Sequence, residues 1–273
     1  MDSLIYNIPA RLVGAYADRR VIVRSHDPAE LASCVSQLDP ANVLYGQLLS
    51  LDVEVAPLTN WRQSVPLDLV MTRPVDEFPL LYWFSHLLDK HQIRVSIPVT
   101  TGFADAVRLS LALHFTVKLE VGQPDQDLIK ELSEILELFL HRSTITQPVE
   151  YFHSTFLSFF HQEPVSLWYV QEEDPEQIRF VSDDGEEGLS KRLHGLPFHS
   201  QKSFRPGEQQ VAGEKSECDD CEFFDRCGGY FKWPDKNFSC EGVKTLFGTM
   251  RAAAAELRTD LSRIPVAQGV PQR

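Results

Sequence analysis

VPLDLVMT (65–72), FPLLYWFSHLLDKH (78–91), QIRVSIPVT (92–100), FADAVRLSLALHF (103–115), TVKLEV (116–121) and PDQDLIKELSEILELFLHRS (124–143) follow one another with only short connections between them. Short runs rich in Val, Ile and Leu alternate with longer runs whose apolar residues recur at helical spacing, such as Leu80, Leu81, Phe84, Leu87 and Leu88. Asp125 and Asp127 open the last of these runs and His141 and Arg142 close it, matching the dipole of a helix. Three consecutive β–α units of this kind predict an α/β fold with parallel strands and right-handed crossovers. Three units are too few for a closed eight-stranded barrel. The expectation is a partial (β/α) barrel or an open, mostly parallel sheet, to which earlier strands add.

In such sheets ligands sit at the C-terminal ends of the strands. Those ends carry Thr72, Arg73 and Asp76, then Thr100, Thr101 and Gly102, then Glu120, Gly122, Gln123 and Asp125. All are also residues that start loops and cap helices. Lys118 and Glu120 fall on one face of TVKLEV by the two-residue period of a strand. A same-face Lys and Glu on a buried strand must pair or point into a cleft. Arg73, Asp76, Lys118, Glu120 and Gln123 are therefore the candidate substrate- or partner-binding residues.

Working towards the N-terminus, LIYNIPARLVGAY and RRVIVRS read as two strands joined by a turn at 17–20. Asp27 and Pro28 form an N-cap and first position for a helix with Leu31, Cys34, Val35 and Leu38 on its apolar stripe. Cys34 reads as a packing thiol. Residues 39–64 are the least regular, with one expected strand at 51–55. Working towards the C-terminus, QPVEYFHSTFLSFFHQ (147–162) is helical. VSLWYVQEE and IRFVSDDGEEG read as strands, with DDG as turn chemistry. Nine carboxylates and a single basic residue, Arg179, lie between Glu163 and Glu187. That run is either a solvated rim or a docking surface for a basic peptide. Residues 188–217 read as a linker, 241–263 as a helix and 264–273 as a tail. The resulting division is an N-terminal β/α segment at 1–64, a barrel-like domain at 65–187, the linker, a cysteine module with its helix at 218–263, and the tail.

The net charge of −13 disfavours non-specific binding to nucleic acid or anionic membranes. No basic stretch leads into an apolar run near Met1, and no run of 18 apolar residues occurs, so neither a signal peptide nor a membrane span is expected. The expected location is the cytoplasm, where thiols stay reduced and bind metal. There is no GxGxxG, P-loop, HExxH, GxSxG or EF-hand loop.

Four of the five cysteines lie in CDDCEFFDRCGGYFKWPDKNFSC (218–240), with gaps of two, five and twelve residues. Four thiolates suit either one Zn2+ or one [4Fe–4S] cluster. Cys218, Cys221, Cys227 and Cys240 are the candidate ligands, with Gly228 and Gly229 supplying the turn. CxxCx5C followed by Gly-Gly resembles the cysteine-rich C-terminal SPASM or twitch module of radical SAM peptide-modifying enzymes. The β–α units upstream resemble the later part of that family's barrel. The resemblance implies auxiliary [4Fe–4S] binding and a role in modifying ribosomally made peptides. Two departures limit it. The CxxxCxxC motif for the SAM cluster is missing, because Cys34 is the only cysteine before Cys218. Phe231 occupies the position of a further SPASM cysteine. The reading is a non-catalytic subunit with one metal centre and no SAM cluster. It would bind a precursor peptide and a catalytic partner protein in a hetero-oligomer. The alternatives are an enzyme component that uses the centre for electron transfer or a SAM-independent reaction, and a zinc-ribbon-like adaptor.

Overall fold

A computed structural model describes residues 4–62, 64–143, 145–193 and 217–263. The elements in chain order are β1 (Ile5–Pro9), β2 (Arg20–Ser25), α1 (Pro28–Ser36), β3 (Val43–Leu48), β4 (Leu67–Val70), α2 (Pro74–Glu77), β5 (Ile93–Pro98), α3 (Phe103–Ala112), β6 (Thr116–Glu120), α4 (Gln126–His141), α5 (Glu150–His161), α6 (Leu167–Val170), β7 (Ile178–Val181), β8 (Glu187–Gly188), α7 (Phe224–Cys227) and α8 (Glu241–Arg263). The strands form one open sheet in the order β6-β5-β4-β3-β2-β1-β7-β8. All pairings are parallel except β7 with β8. The chain is thus an α/β protein built on a mostly parallel sheet. Six strands follow each other in sequence order, as right-handed β–α units require. β3 pairs with β4, so the division at 64/65 falls between two neighbours in one sheet.

The two faces of the sheet differ. One carries Val21, Val23, Leu48, Leu67, Leu69, Ile93, Val95, Ile97, Val117 and Leu119, all buried in one core with the helices. Gly46 belongs to this face because a Cβ there would meet the Trp61 ring at 2.5 Å. The other face carries the polar residues described below and a small apolar cluster of Ile22, Tyr45 and Ile178.

Several elements depart from expectation. The first strand stops at Pro9, and a 3-10 segment, Ala10–Ala15, carries the chain to a strand parallel to it rather than to a hairpin. Residues 51–55 are not a strand; the strand of that region is β3. The segment at 78–91 is 3-10 rather than α, over Phe78–Asp89. Its buried residues, Leu81, Phe84 and Leu87, recur every third position, so a three-residue turn puts all three on the core side. Residues 167–170 form α6 instead of a strand. There the fully buried Trp168 packs its ring 5.0 Å from that of Tyr230, and tertiary contact overrides strand propensity. Of the expected linker, residues 188–193 belong to the domain, with Ser190 and Leu193 buried; 194–216 and the tail lie outside the described residues.

The expected helix ends match. Asp27 caps α1 by accepting from the N–H groups of Ala29 and Glu30, and Asp125 caps α4. The helix at 241–263 is α8. Among the described residues no helix is long and apolar enough to cross a membrane.

Candidate functional site

The polar face is organised by register. Arg24, Gln47, Asp68 and Arg94 are successive Cα partners across β2, β3, β4 and β5, so their side chains leave the same face in one row. Ser96 and Lys118 pair in the next row. Asn7 on β1 donates to Gln47 at 2.9 Å, and Gln47 donates to Asp68 at 3.0 Å. Asp68 also accepts from Ser96 at 2.9 Å and from Arg94 at 2.9 Å. Arg24 donates to the backbone and side-chain oxygens of Asn7, both at 2.8 Å. Asp68 and Ser96 are completely buried.

Glu172, from the loop after α6, closes this row. Its carboxylate accepts from Lys118 at 2.5 Å, Tyr45 at 2.6 Å and Arg94 at 2.9 Å. Burial works against charge on Glu172, but Lys118 and Arg94 outweigh it and hold the carboxyl well below the usual range. Arg94 is likewise desolvated yet held charged by Asp68 and Glu172, and its guanidinium lies 4.3 Å over the Tyr45 ring. Every one of the first six strands therefore contributes to one polar layer.

The layer lies between two cavities. One of about 420 Å³, towards the N-terminal ends of the strands, is lined by Tyr45, Asp68, Arg94, Thr116 and Glu150. The larger, about 980 Å³, lies at the C-terminal ends, where Asn7, Arg24, Gln47, Val70, Pro98, Lys118, Glu120 and Phe180 line it from seven strands. Thr100, Gly122 and Gln123 line it as well. Of the five candidates from sequence, Lys118, Glu120 and Gln123 share this cavity. Arg73 and Asp76 do not line it; they form an exposed ion pair with each other at 3.0 Å at the start of α2. Glu120 does not pair with Lys118, which is taken by Glu172. Glu120 is exposed at the end of β6, yet the surrounding protein desolvates its carboxyl enough to raise the pKa, with Lys118 opposing.

The cysteine module closes the cavity from one side. Gln123 donates to the carbonyls of Phe231 at 2.8 Å and Asp235 at 2.7 Å. Tyr230 donates to Glu173 at 2.7 Å, and Arg192 donates to Glu173 at 2.8 Å and to the carbonyl of Trp233 at 2.6 Å while lying 3.8 Å over the Tyr230 ring. Phe223, Tyr230, Phe231, Val243 and Phe247 belong to the same core as the sheet, so the module is continuous with the domain.

Within the module, α7 ends at Cys227, and Gly228 and Gly229 take left-handed backbone (φ 56 and 73), the conformation glycine adopts freely. The turn brings the N–H groups of Phe231, Tyr230 and Gly229 back onto the Cys227 sulfur. Burial still dominates and pushes that thiol up to about 11. Cys240, desolvated despite Lys232, is pushed up to about 12. Cys218, Cys221, Cys227 and Cys240 all line one small pocket of about 20 Å³ with Phe223, Phe231 and Phe247, the size of a single water site. Among the described residues no three His, Cys, Asp or Glu form a ready coordination group. Lys232 and Lys244 flank the pocket and share Glu217, at 2.7 and 2.6 Å. Burial opposes charge on Glu217, but the two lysine hydrogen bonds hold it at about 2.

No family model, curated protein or solved structure matches this chain.

Sequence reasoning missed Arg24, Gln47, Asp68, Arg94 and Glu172. Two of these carried a clear signal. Asp68 interrupts VPLDLVMT and Arg94 interrupts QIRVSIPVT, and the argument made for Lys118 on its strand applies equally to them. Glu172 carried none, being one acid in a run of nine.

Proposed function

We propose that this protein is a non-catalytic, radical-SAM-like subunit that binds a precursor peptide and scaffolds a catalytic partner in the modification of ribosomally made peptides. The observation that carries the reading is the 980 Å³ cavity at the strand ends, walled on one side by the four-cysteine module. An open cavity beside that module suits holding a chain for a second protein. Sequential parallel strands followed by a CxxCx5C module support the resemblance to radical SAM proteins, and the missing CxxxCxxC motif supports a role without a SAM cluster.

The four thiols have the donor chemistry of a metal centre and line one pocket, although among the described residues they are not gathered into a coordination group. Cys218, Cys221, Cys227 and Cys240 would hold one Zn2+ or one [4Fe–4S] cluster, which when bound would tie the turn after α7 to the start of α8. The neighbouring backbone N–H groups at Cys227, and Lys232 near Cys240, only partly offset the burial that raises both thiols, so a bound metal would have to supply the charge that makes them thiolates. A cytoplasmic location and assembly into a hetero-oligomer belong to this proposal.

Affinity purification of the tagged chain from its own cells under anaerobic conditions tests it. A co-purifying peptide-modifying enzyme, with precursor peptide retained by the complex, is the expected result. A chain that binds neither enzyme nor precursor sinks the proposal.

A further inference from the structure

The large cavity contains two groups that the fold leaves unmet. Gln171 and Ser190 are 5% and 4% exposed, and both line it. Gln171 uses its side-chain oxygen to accept from the N–H of Val121 at 3.1 Å, while its Nε2 has no partner among the described residues. The hydroxyl of Ser190 has none either. Buried donors without acceptors are uncommon in native proteins, and these two, closed off from solvent just behind the cavity wall, point to a ligand whose carbonyl oxygens they meet once the lining side chains yield.

Charge narrows the ligand further. Lys118 is committed to Glu172 and Arg192 to Glu173, whereas the Arg24 guanidinium donates to the neutral Asn7 and keeps its charge. Lys191 is exposed and lines the cavity. Glu120 lines it without an ion-pair partner among the described residues, and Glu186 and Glu187 add two more carboxylates. Shape is the third constraint. The lining runs from Phe180 on β7 to Glu120 on β6, six strand spacings apart. On a flat sheet that is roughly 29 Å, the length of an extended segment of about nine residues. A slot of that form suits an extended chain better than a compact metabolite.

We infer that the cavity receives an extended peptide through a basic side chain, Lys or Arg, whose cationic head pairs with Glu120 while a main-chain carbonyl accepts from Gln171 Nε2. This rests on the peptide-binding reading above and adds what in the peptide is recognised. Fluorescein-labelled heptapeptides of Gly and Ser with one central Lys, Arg, norleucine or Glu are the probes, read by anisotropy at low salt. The Lys and Arg peptides are expected to bind about three-fold more tightly than the norleucine peptide, as one exposed ion pair provides at low salt. Glu120→Gln is expected to remove that preference and Glu120→Lys to transfer it to the Glu peptide, with unfolding transitions unchanged. Gln171→Leu is expected to weaken all four peptides together. Equal binding of Lys and norleucine peptides, or a preference that survives Glu120→Gln, overturns the inference and leaves the functional proposal standing. A lysine preference through Glu120, in a chain that retains no precursor or partner from cells, supports the inference and overturns the functional proposal.

Discussion

Lys118 Nζ lies 2.5 Å from Glu172 Oε2, joining the last sequential strand to a loop 54 residues further on. Lys118 is 5% exposed, and Arg94 reaches the same carboxylate from the neighbouring strand. Removing one partner from such a cluster leaves charge buried without compensation. Glu172→Gln is expected to cost roughly 3–5 kcal/mol. The paired replacement Lys118→Met with Glu172→Leu removes both charges and is expected to recover part of that loss. Urea unfolding of the three proteins checks this; a shift under about 1 kcal/mol for Glu172→Gln shows that the cluster does not hold the sheet to the loop.

The same carboxylate sets an acid limit. Its folded pKa lies below the ordinary value of 4.5, so its contribution is fully present above that value and is lost as pH falls through the folded value. Glu217, held at about 2 by Lys232 and Lys244, acts in the same direction but is more exposed and contributes less. Stability is therefore expected to fall steadily below about pH 4.5, and the slope of Glu172→Gln in that range to be shallower than that of the parent. Parallel slopes in urea titrations from pH 5 to 3 contradict the assignment.

The layout of the sheet was legible because VPLDLVMT, QIRVSIPVT and TVKLEV stand between helical runs, and helix ends were legible where Asp27 and Asp125 cap them. The polar layer was legible at Lys118 and Glu120 and equally visible, though unread, at Asp68 and Arg94. What a single sequence does not display is which distant groups meet. Glu172 reaches Lys118 only because α6 turns the chain, and α6 itself exists because Trp168 is buried against Tyr230 of the cysteine module. Arg73 illustrates the converse: it follows β4, yet its side chain is exposed beside Asp76, because a strand end can serve a helix start as well as a site.

Metal content follows from the pocket shared by four cysteines. The parent, purified anaerobically, is expected to carry one centre per chain, detected as zinc or as iron with sulfide. Cys221→Ser and Cys227→Ser are expected to lose it and to melt earlier, whereas Cys34→Ser, whose thiol sits on α1, is expected to keep it. A parent with no bound metal after anaerobic purification and reconstitution removes the four-thiolate centre from the proposal.

Gln123 connects the end of β6 to the module by donating to the carbonyls of Phe231 and Asp235 and accepting from the N–H of Asp235 at 3.3 Å. Gln123→Ala leaves those groups without their partner and is expected to cost about 1–3 kcal/mol. Faster hydrogen exchange at residues 230–236, with β4 and β5 unchanged, identifies it as a latch. Uniform loss of protection across the sheet identifies it instead as part of the global core.

Phe231 stands where the resemblance to SPASM modules places another cysteine, and it is 1% exposed. Its ring centre lies 5.3 Å from that of Tyr230, 6.3 Å from that of Phe238 and 6.5 Å from that of Phe247, so an aromatic cluster fills that part of the module. Phe231→Cys restores the cysteine of the resembled motif but removes most of a buried ring. It is expected to cost about 3–5 kcal/mol, as large-to-small core changes do. The metal content is expected to stay at one centre per chain, because the one other cysteine, Cys34 on α1, does not complete a second set of four thiolates. A variant that gains a second centre, or loses no stability in urea, shows that the ring is a replaceable filler and that the module retains a two-centre design.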